Sequence, residues 1–404
     1  MKFPLFSFLC FSSRKKYRQW SESESVSREH PERQLSALAL PEGICREFSL
    51  VEIKAATESF NEDLVVGRTD SAYVYRGTID DGTIVVAVKR FNIIWGFENF
   101  RTEVELLCQL RHPHVISLLG ICVEQNELIL VYEYLSKGSL ERALYDEGLV
   151  PPTWIQRLQI CIGVARGLHY LHTGAKRAII HCGINSSNVL LDHEWCPELS
   201  DFGFSKMGPL STSKASIKRM ESSVRGTRSY IAPEYACFGE LSDRSDVYSF
   251  GLLLFELLCG RRASFYWARE MVREGKIYHV IDPYLKGKIA PECFYKYLEV
   301  ARSCVHYEGN ERPAMGEVEV ALELALELQK KADYEMEGSA PHGECMYEDA
   351  LFRTYFDLDD AFYSSRNRNS KESDDYLDDS GGYLSDSDKD ASLVLDGSSS
   401  TMGA

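Results

Sequence analysis

The chain has 404 residues, which exceeds one typical domain, although a single two-lobed domain with tails would also fill it. Its hydrophobic fraction of 44% is ordinary for a globular protein and sufficient for a large core. Its formal net charge of −16 argues against nucleic acid as the main partner, because phosphate backbones are bound by basic surfaces. The 12 cysteines occur singly, without C-x-x-C pairs or zinc-type spacing, so we expect reduced thiols in an intracellular protein.

The N-terminus combines a short apolar patch, residues 3–11, with a basic cluster. The patch is too short to cross a bilayer and lacks the features of a signal peptide. Lys2 stands where N-myristoylation requires glycine, whereas Cys10 leaves S-acylation open. Peripheral membrane contact through Cys10 and the basic cluster is one interpretation; a frayed terminus is the other. The cluster consists of Arg14, Lys15, Lys16 and Arg18.

Residues 1–47 are predicted to form a disordered segment, since 21–47 are rich in serine and glutamate, and a globular region follows over 48–330. Strands are predicted first and helices later, which indicates an α+β arrangement in two lobes. The apolar runs 84–88 and 128–131 predict the strands. The helices are predicted over 154–172, 247–258 and 316–329 from their apolar spacing.

The C-terminal segment, 331–404, is predicted to be a disordered acidic tail. From Asp333 to Ala404 there are 18 acidic against 5 basic residues, which places about −13 of the −16 charge there. Low hydrophobicity with high net charge is typical of disorder.

Residues 180–192 resemble the catalytic loop of protein kinases, whose pattern is H-R-D-x-K-x-x-N. The framing His181 and Asn188 match, but Cys182, Gly183 and Asn185 replace the arginine, the catalytic aspartate and the lysine. Gly183 cannot deprotonate a substrate hydroxyl, and a general base contributes ~10²–10⁴-fold to rate. Asn185 cannot offer positive charge to the transferred phosphate.

Other kinase landmarks are intact. Lys89 ends an apolar strand at the position where protein kinases have their phosphate-binding lysine, and Glu103 is the implied partner of Lys89. A lone lysine in such a place is usually solvated, but its spacing from the other landmarks favours the functional interpretation. Asp201 begins a D-F-G motif, and with Asn188 it would hold Mg²⁺.

The phosphate loop departs from the kinase pattern G-x-G-x-x-G-x-V. Only Gly67 remains, because Thr69 and Ala72 occupy the other two glycine positions, and Asp70 adds a negative charge. Glycine lets backbone N–H groups approach phosphate closely. We therefore expect weakened ATP binding, with the adenine pocket retaining part of it.

Residues that hold the kinase scaffold together are present. Glu234 belongs to an A-P-E motif, Arg312 stands where the family places that glutamate's partner, and Asp246 matches the aspartate that braces the catalytic loop. The scaffold is kept while the catalytic groups are lost. Random decay of a gene copy would be expected to affect both alike.

Over about residues 48–330 the chain resembles the plant receptor-like kinases, and within them the malectin-type receptor kinases and the Pto-like cytoplasmic kinases. The stretches that carry this resemblance are 48–57, 110–120, 161–174 and 245–251. It implies a bilobal kinase fold with an antiparallel sheet and one helix in the N-terminal lobe and a mostly helical C-terminal lobe. We favour the cytoplasmic branch because no membrane span precedes the domain. The implied adenine contacts are Gly67, Val74, Ala87, Tyr132 as gatekeeper, Tyr134 and Leu190.

These features predict a catalytically impaired receptor-like cytoplasmic kinase, a pseudokinase that acts as a scaffold or allosteric partner in plant receptor-kinase signalling. Its expected partners are other receptor-like kinases or immune and growth signalling proteins. Its expected location is the cytoplasm or the cytoplasmic face of the plasma membrane. The alternative is a weakly active, ATP-dependent serine/threonine kinase.

Overall fold

A six-stranded sheet forms the N-terminal lobe. The computed structural model describes residues 45–69, 71–208, 220–221, 224–262, 280–337 and 346–347, all within the first of the chain's two units, Met1–Phe352. The strand order is β1-β5-β6-β4-β3-β2. The strands are β1 (Arg46–Glu47), β2 (Val65–Arg68), β3 (Ala72–Ile79), β4 (Ile84–Phe91), β5 (Leu118–Glu124) and β6 (Glu127–Glu133).

The sheet is antiparallel except at one edge, where β1 pairs in parallel with β5. Arg46 lies opposite Gly120, and a Cβ at Gly120 would come within 2.2 Å of the Arg46 carbonyl oxygen. The glycine therefore permits the close approach of β1. This strand begins two residues before the start at residue 48 predicted from composition.

Two helices pack on the sheet, one more than the resemblance implied. The first, α1 (Leu50–Ala56), begins with a capping box between Ser49 and Glu52 and buries its apolar face against β3, β4 and β6. The second, α2 (Phe97–Leu107), buries an apolar face that also contains Glu103. That helix places a carboxylate inside the lobe.

The C-terminal lobe is mostly helical. Its helices are α3 (Leu140–Tyr145), α4 (Trp154–His169), α5 (Pro233–Phe238), α6 (Asp243–Cys259), α7 (Pro291–Cys304) and α8 (Met315–Glu337). Short strands complete it: β7 (Gly138–Ser139), β8 (Ile179–Ile180), β9 (Val189–Leu191), β10 (Pro197–Leu199), β11 (Lys206–Met207), β12 (Met220–Glu221) and β13 (Glu240–Leu241). The α+β, two-lobed prediction is confirmed.

Helix α6 forms the centre of this lobe, because its residues from Leu252 to Leu258 are fully buried. Helix α8 runs past the predicted boundary at Lys331 to Glu337. Gln329 and Asp333 are hydrogen-bonded to each other there, and the Tyr347 hydroxyl donates to Asp333 at 2.7 Å.

Among the described helices, none combines the length and hydropathy that crossing a membrane requires. The predicted anchor at Cys10 and its basic cluster, the charge at Asp70 and nearly all of the acidic tail lie outside the described residues.

Candidate active site

A cleft of about 370 Å³ lies where the sheet meets the C-terminal lobe. Its volume is within the range of ordinary ligand sites, about 300–1,000 Å³. Every residue that the sequence assigned to nucleotide or metal binding lines it. These are Gly67, Val74, Ala87, Lys89, Glu103, Tyr132, Tyr134, Asn188, Leu190 and Asp201.

Lys89 lies at the centre of a buried charge cluster. Its Nζ is 2.5 Å from Glu103 Oε1 and 2.7 Å from Asp201 Oδ1. The lysine comes from β4 and the glutamate from α2, so the pair joins the sheet to the helix. Burial alone would lower the pKa of Lys89, but the carboxylates of Asp201 and Glu103 outweigh it and raise that pKa above its ordinary value. The lysine is therefore held positively charged where a phosphate would be bound.

Glu103 has a second partner that the sequence did not reveal, since the Tyr132 hydroxyl donates to its Oε2. Burial raises the pKa of Glu103 in spite of the nearby Lys89, and burial and the Glu103 carboxylate raise that of Tyr132. From the sequence, only an adenine contact is expected of Tyr132. Its place on β6, directly opposite Ala87 of β4, brings it to the same cleft.

Asp201 adopts the left-handed backbone region, with φ 63° and ψ 67°, a conformation that aspartate tolerates better than most residues. Burial would raise its pKa, but Lys89 lowers it, so the carboxylate is ionised. The Phe202 ring that follows packs on the His181 imidazole at 4.7 Å between centroids. These contacts hold the start of the D-F-G motif in the cleft.

The donor set fits a Mg²⁺ ion carried by a nucleotide. Asp201 offers a carboxylate and Asn188 an amide oxygen, and the Asn188 carbonyl accepts the Ser200 N–H at 2.9 Å, which keeps the two segments adjacent. No cluster of three potential ligands from His, Cys, Asp and Glu occurs in the described part of the chain. Mg²⁺ is usually bound by one or two carboxylates together with substrate phosphates. Asp201 and Asn188 would hold it, and the ion would neutralise phosphate charge.

Asp246 braces the catalytic loop as the resemblance implied. Its carboxylate accepts the His181 N–H at 2.7 Å and the Cys182 N–H at 2.9 Å, and it also contacts His172 at 2.9 Å. Burial lowers the pKa of His181, which is therefore neutral. Burial raises the pKa of the Cys182 thiol far above its usual range, so no charge replaces that of the family's arginine.

Gly183 occupies the position at which the kinase pattern has its catalytic aspartate. Its N–H donates to His181 Nδ1 at 3.2 Å, and its carbonyl accepts the Asn188 side-chain amide at 2.8 Å. A Cβ built on Gly183 would meet its nearest neighbours, Asn188 and His181, at 3.4 Å. That is ordinary van der Waals contact, so the backbone would accept a side chain. Gly183 lines a small pocket beside Thr227 and Tyr230.

Asn185 holds the loop instead of supplying charge. Its Oδ1 accepts the backbone N–H groups of Ser187 at 2.9 Å and Asn188 at 3.1 Å. Its Nδ2 donates to Thr227 Oγ1 at 3.0 Å, which ties the loop to the segment before the A-P-E motif. The amide therefore stabilises the loop conformation in the place of the family's lysine.

One backbone amide of the segment that resembles the phosphate loop has an internal partner. The Thr69 N–H donates to the Ala72 carbonyl at 2.8 Å, so this amide is satisfied inside the β2–β3 hairpin. The Asn99 amide of α2 donates to Ser71 Oγ at 3.3 Å. Ser71, which directly precedes β3, is therefore bonded to α2. The segment also lacks two of the three glycines of the kinase pattern.

Glu256 of α6 is a further site-supporting residue that sequence reasoning missed. Its fully buried carboxylate accepts the hydroxyl of Ser186 in the catalytic loop at 2.6 Å, together with those of Tyr145 and Tyr230. Burial raises its pKa. The available signal was its position as the one charged residue in the apolar stretch 247–258.

The expected ion pair between Arg312 and Glu234 of the A-P-E motif is also formed, since the Arg312 guanidinium binds both carboxylate oxygens of Glu234 at 2.8 Å. Such a bidentate, buried pair fixes geometry as well as adding energy.

Comparison with known proteins places residues 60–322 in the family described as protein tyrosine and serine/threonine kinase. Similar proteins of Arabidopsis thaliana include the receptor-like protein kinases FERONIA, at 47% identity over 74% of this chain, and ANXUR2, at 42% identity over 81% of it. A third is the receptor-like protein kinase ANXUR1, at 45% identity over 73% of this chain. The matched regions span 34%, 42% and 36% of those three proteins, respectively.

Proposed function

The chain belongs to the protein tyrosine and serine/threonine kinase family, and from this premise we propose that it is a catalytically impaired, nucleotide-binding member that acts through its surface and conformation. The alternative is a weakly active, ATP-dependent serine/threonine kinase.

The observation that carries the proposal is Gly183 at the position of the catalytic base. Among the described residues, the carboxylates of Asp246 and Glu256 accept hydrogen bonds from the catalytic loop, and each is buried and already accepts several. The Asp201 carboxylate is paired with Lys89 at 2.7 Å. None of the three is left to take the proton of a substrate hydroxyl, so phosphoryl transfer should lack the ~10²–10⁴-fold that a base supplies.

Nucleotide binding is supported by the charge cluster in the cleft. Lys89 is fixed between Glu103 and Asp201 at 2.5 and 2.7 Å, which orients a positive charge toward the cleft. The apolar lining around Val74, Ala87 and Leu190 suits a purine ring. We expect ATP with Mg²⁺ to bind more weakly than in a kinase with three loop glycines, because Thr69 and Ala72 keep the backbone from approaching the phosphates.

We propose that its partners are receptor-like kinases, since the similar proteins FERONIA and ANXUR2 carry that name. A scaffold that resembles a kinase can bind where a kinase binds without consuming ATP. Contact with the cytoplasmic face of the plasma membrane through Cys10 and the basic cluster is part of the proposal.

The second candidate is a weakly active serine/threonine kinase. Two observations favour it: the Lys89, Glu103 and Asp201 side chains are already assembled, and the similar proteins are named as kinases. On this view, a substrate hydroxyl would lose its proton to water or to a phosphate oxygen, and the rate would be low.

Thermal melting in the presence of ATP, with and without Mg²⁺, tests nucleotide binding. Filling the adenine pocket with Ala87→Phe should abolish the ATP-induced rise in Tm, whereas Ile84→Phe, at an exposed position on the same strand, should leave it unchanged. If wild type shows no rise at millimolar ATP, it is not a nucleotide-binding module. Phosphoryl transfer well above that of an Asp201→Asn variant would favour the second candidate.

A further inference from the structure

Two thiols from distant parts of the chain are in contact beside the N-terminal sheet. Cys45 Sγ lies 3.3 Å from Cys108 Sγ, although 63 positions separate them in sequence. Cys45 immediately precedes β1 and is half-buried, whereas Cys108 caps the C-terminal end of α2 and is buried. A disulfide requires about 2.05 Å between the sulfur atoms, so the sulfurs need to close by about 1.3 Å.

We propose that Cys45 and Cys108 form a redox-modification site, at which a hydroperoxide converts the two thiols into one intramolecular disulfide. The inference is independent of whether the cleft binds nucleotide or transfers phosphate. It rests on the contact between the two sulfur atoms and on the elements that they would join.

The difference in solvent exposure between the two thiols determines which of them reacts first. The half-buried Cys45 meets a dissolved hydroperoxide first, and its thiolate attacks the outer peroxide oxygen. The O–O bond breaks, the alkoxide leaves and is protonated to an alcohol or water, and Cys45 becomes a sulfenic acid. The Cys108 sulfur then attacks the Cys45 sulfur, and the S–O bond breaks with loss of water. In sum, two thiols and one hydroperoxide give one disulfide, one alcohol or water, and one water.

Cys108 is suited to the second role. Burial, together with the neighbouring Cys45, raises the pKa of its thiol to about 12, so it is a poor target for dissolved peroxide. It is already in contact with the sulfur that it would attack. Proximity compensates for its low thiolate fraction.

The disulfide would act on the helix that carries Glu103. Cys108 continues α2, since its N–H donates to the Val104 carbonyl at 3.1 Å, and Glu103 lies five positions earlier, about one and a half turns. On the other side, Arg46 and Glu47 are fixed in register on β5. The bridge therefore ties the end of α2 to the sheet edge and restricts movement of Glu103 away from Lys89.

The test uses the full chain, first reduced and then titrated with hydrogen peroxide. We expect peptide mapping without reductant to show a Cys45–Cys108 linkage, and Tm to rise by roughly 5–10 °C because a 63-residue separation is constrained in the unfolded chain. Dithiothreitol should reverse the rise. Hydrogen exchange over 97–108 should slow on oxidation.

Cys45→Ser should abolish the linkage and the rise in Tm. Because Cys45 is only half-buried, this variant should fold even if Cys108→Ser folds poorly. Cys237→Ser, which removes an exposed thiol, should behave as wild type. The proposal is overturned if peroxide oxidises Cys237 while Cys45 and Cys108 both stay thiols, or if the Tm rise persists in Cys45→Ser. A linkage that leaves Tm and exchange over 97–108 unchanged would overturn the effect on α2.

Discussion

The side-chain amide of Asn188 donates to the backbone carbonyl of Gly183 at 2.8 Å. In the kinase pattern that residues 180–192 resemble, Asn188 stands at a Mg²⁺-ligand position and Gly183 stands at the position of the catalytic aspartate. This bond keeps the catalytic loop in place although its central side chain is missing. The loop is therefore folded, and on the proposed function only its side chains need to be replaced to obtain phosphoryl transfer.

Restoring the missing groups should restore phosphoryl transfer. The backbone at Gly183 tolerates the Cβ of an aspartate, since its nearest neighbours would lie at 3.4 Å. Together with Asn185→Lys and Cys182→Arg, Gly183→Asp should raise autophosphorylation by ~10²–10⁴-fold, the usual contribution of a general base. Adding Thr69→Gly and Ala72→Gly should raise it further. Radiolabel incorporation from ATP measures both steps.

The matched control adds Asp201→Asn to the repaired chain, which should return label incorporation to the background. Asn185→Lys removes an N-cap to Ser187 and Asn188, so the repaired chain should lose about 1 kcal/mol of stability. A repaired chain that is folded by circular dichroism and yet inert would show that Lys89, Glu103, Asn188 and Asp201 are not placed for catalysis.

Breaking the buried charge cluster should destabilise the fold. Lys89→Ala leaves the Glu103 and Asp201 carboxylates without their cation, and removing one partner of a buried pair costs about 3–5 kcal/mol. Arg101→Ala, which removes an exposed ion pair with Glu105 on the same helix, should cost at most about 0.5 kcal/mol. Urea denaturation measures both losses. Equal losses for the two variants would contradict a buried cluster.

Stability should depend on pH through Glu198 of β10. Burial first, then Glu133 and Asp192, raise its pKa from 4.5 to about 7, and its Oε2 has no hydrogen-bond partner among the described residues. Between these two values the folded state holds a proton that the unfolded state has lost. The contribution of Glu198 to the free energy of unfolding therefore falls as pH rises from 4.5 to 7 and stays low above it.

Glu198→Gln removes that penalty. It should be more stable than wild type by about 1–2 kcal/mol at pH 8, a value reduced for partial solvent screening, and by at most about 0.5 kcal/mol near pH 5. Glu194→Gln, at an exposed position nearby, should match wild type at both pH values. A stability difference between wild type and Glu198→Gln that is the same at pH 5 and pH 8 would refute the raised pKa.

Membrane association should depend on the N-terminus. A single acyl chain anchors only marginally, and each basic residue near an anionic leaflet adds about 1 kcal/mol. Cys10→Ser should therefore move the protein from the membrane to the soluble fraction of plant cells, and replacing Lys15 and Lys16 with glutamine should do so in part. If wild type is itself wholly soluble, the anchor does not exist.

The residues that line the cleft could be selected from sequence because the central ones belong to spaced motifs. Lys89, Glu103 and Asp201 are separated by 14 and then 98 positions, yet the motifs around them placed all three on the cleft that they share. The two-lobed α+β fold followed equally well from the order of apolar runs.

Contacts between distant residues without a motif could not be predicted. Cys45 and Cys108, or Glu256 and Ser186, are brought together by packing alone. The extension of α8 to Glu337 could not be predicted, because the sequence there lacks the apolar spacing of a helix. Gln329 makes polar contacts there, since its Oε1 accepts the Ala290 N–H at 2.8 Å and its Nε2 donates to Asp333 at 2.9 Å.

The most direct measurement of the central claim is radiolabel autophosphorylation of wild type beside Asp201→Asn, with the repaired chain as the positive control. On the proposed function, Gly183 cannot act as a base although the rest of the cleft is assembled. Wild type and Asp201→Asn should therefore incorporate the same background label, and the repaired chain should incorporate clearly more. Incorporation by wild type well above Asp201→Asn would contradict the account and identify the protein as a working kinase.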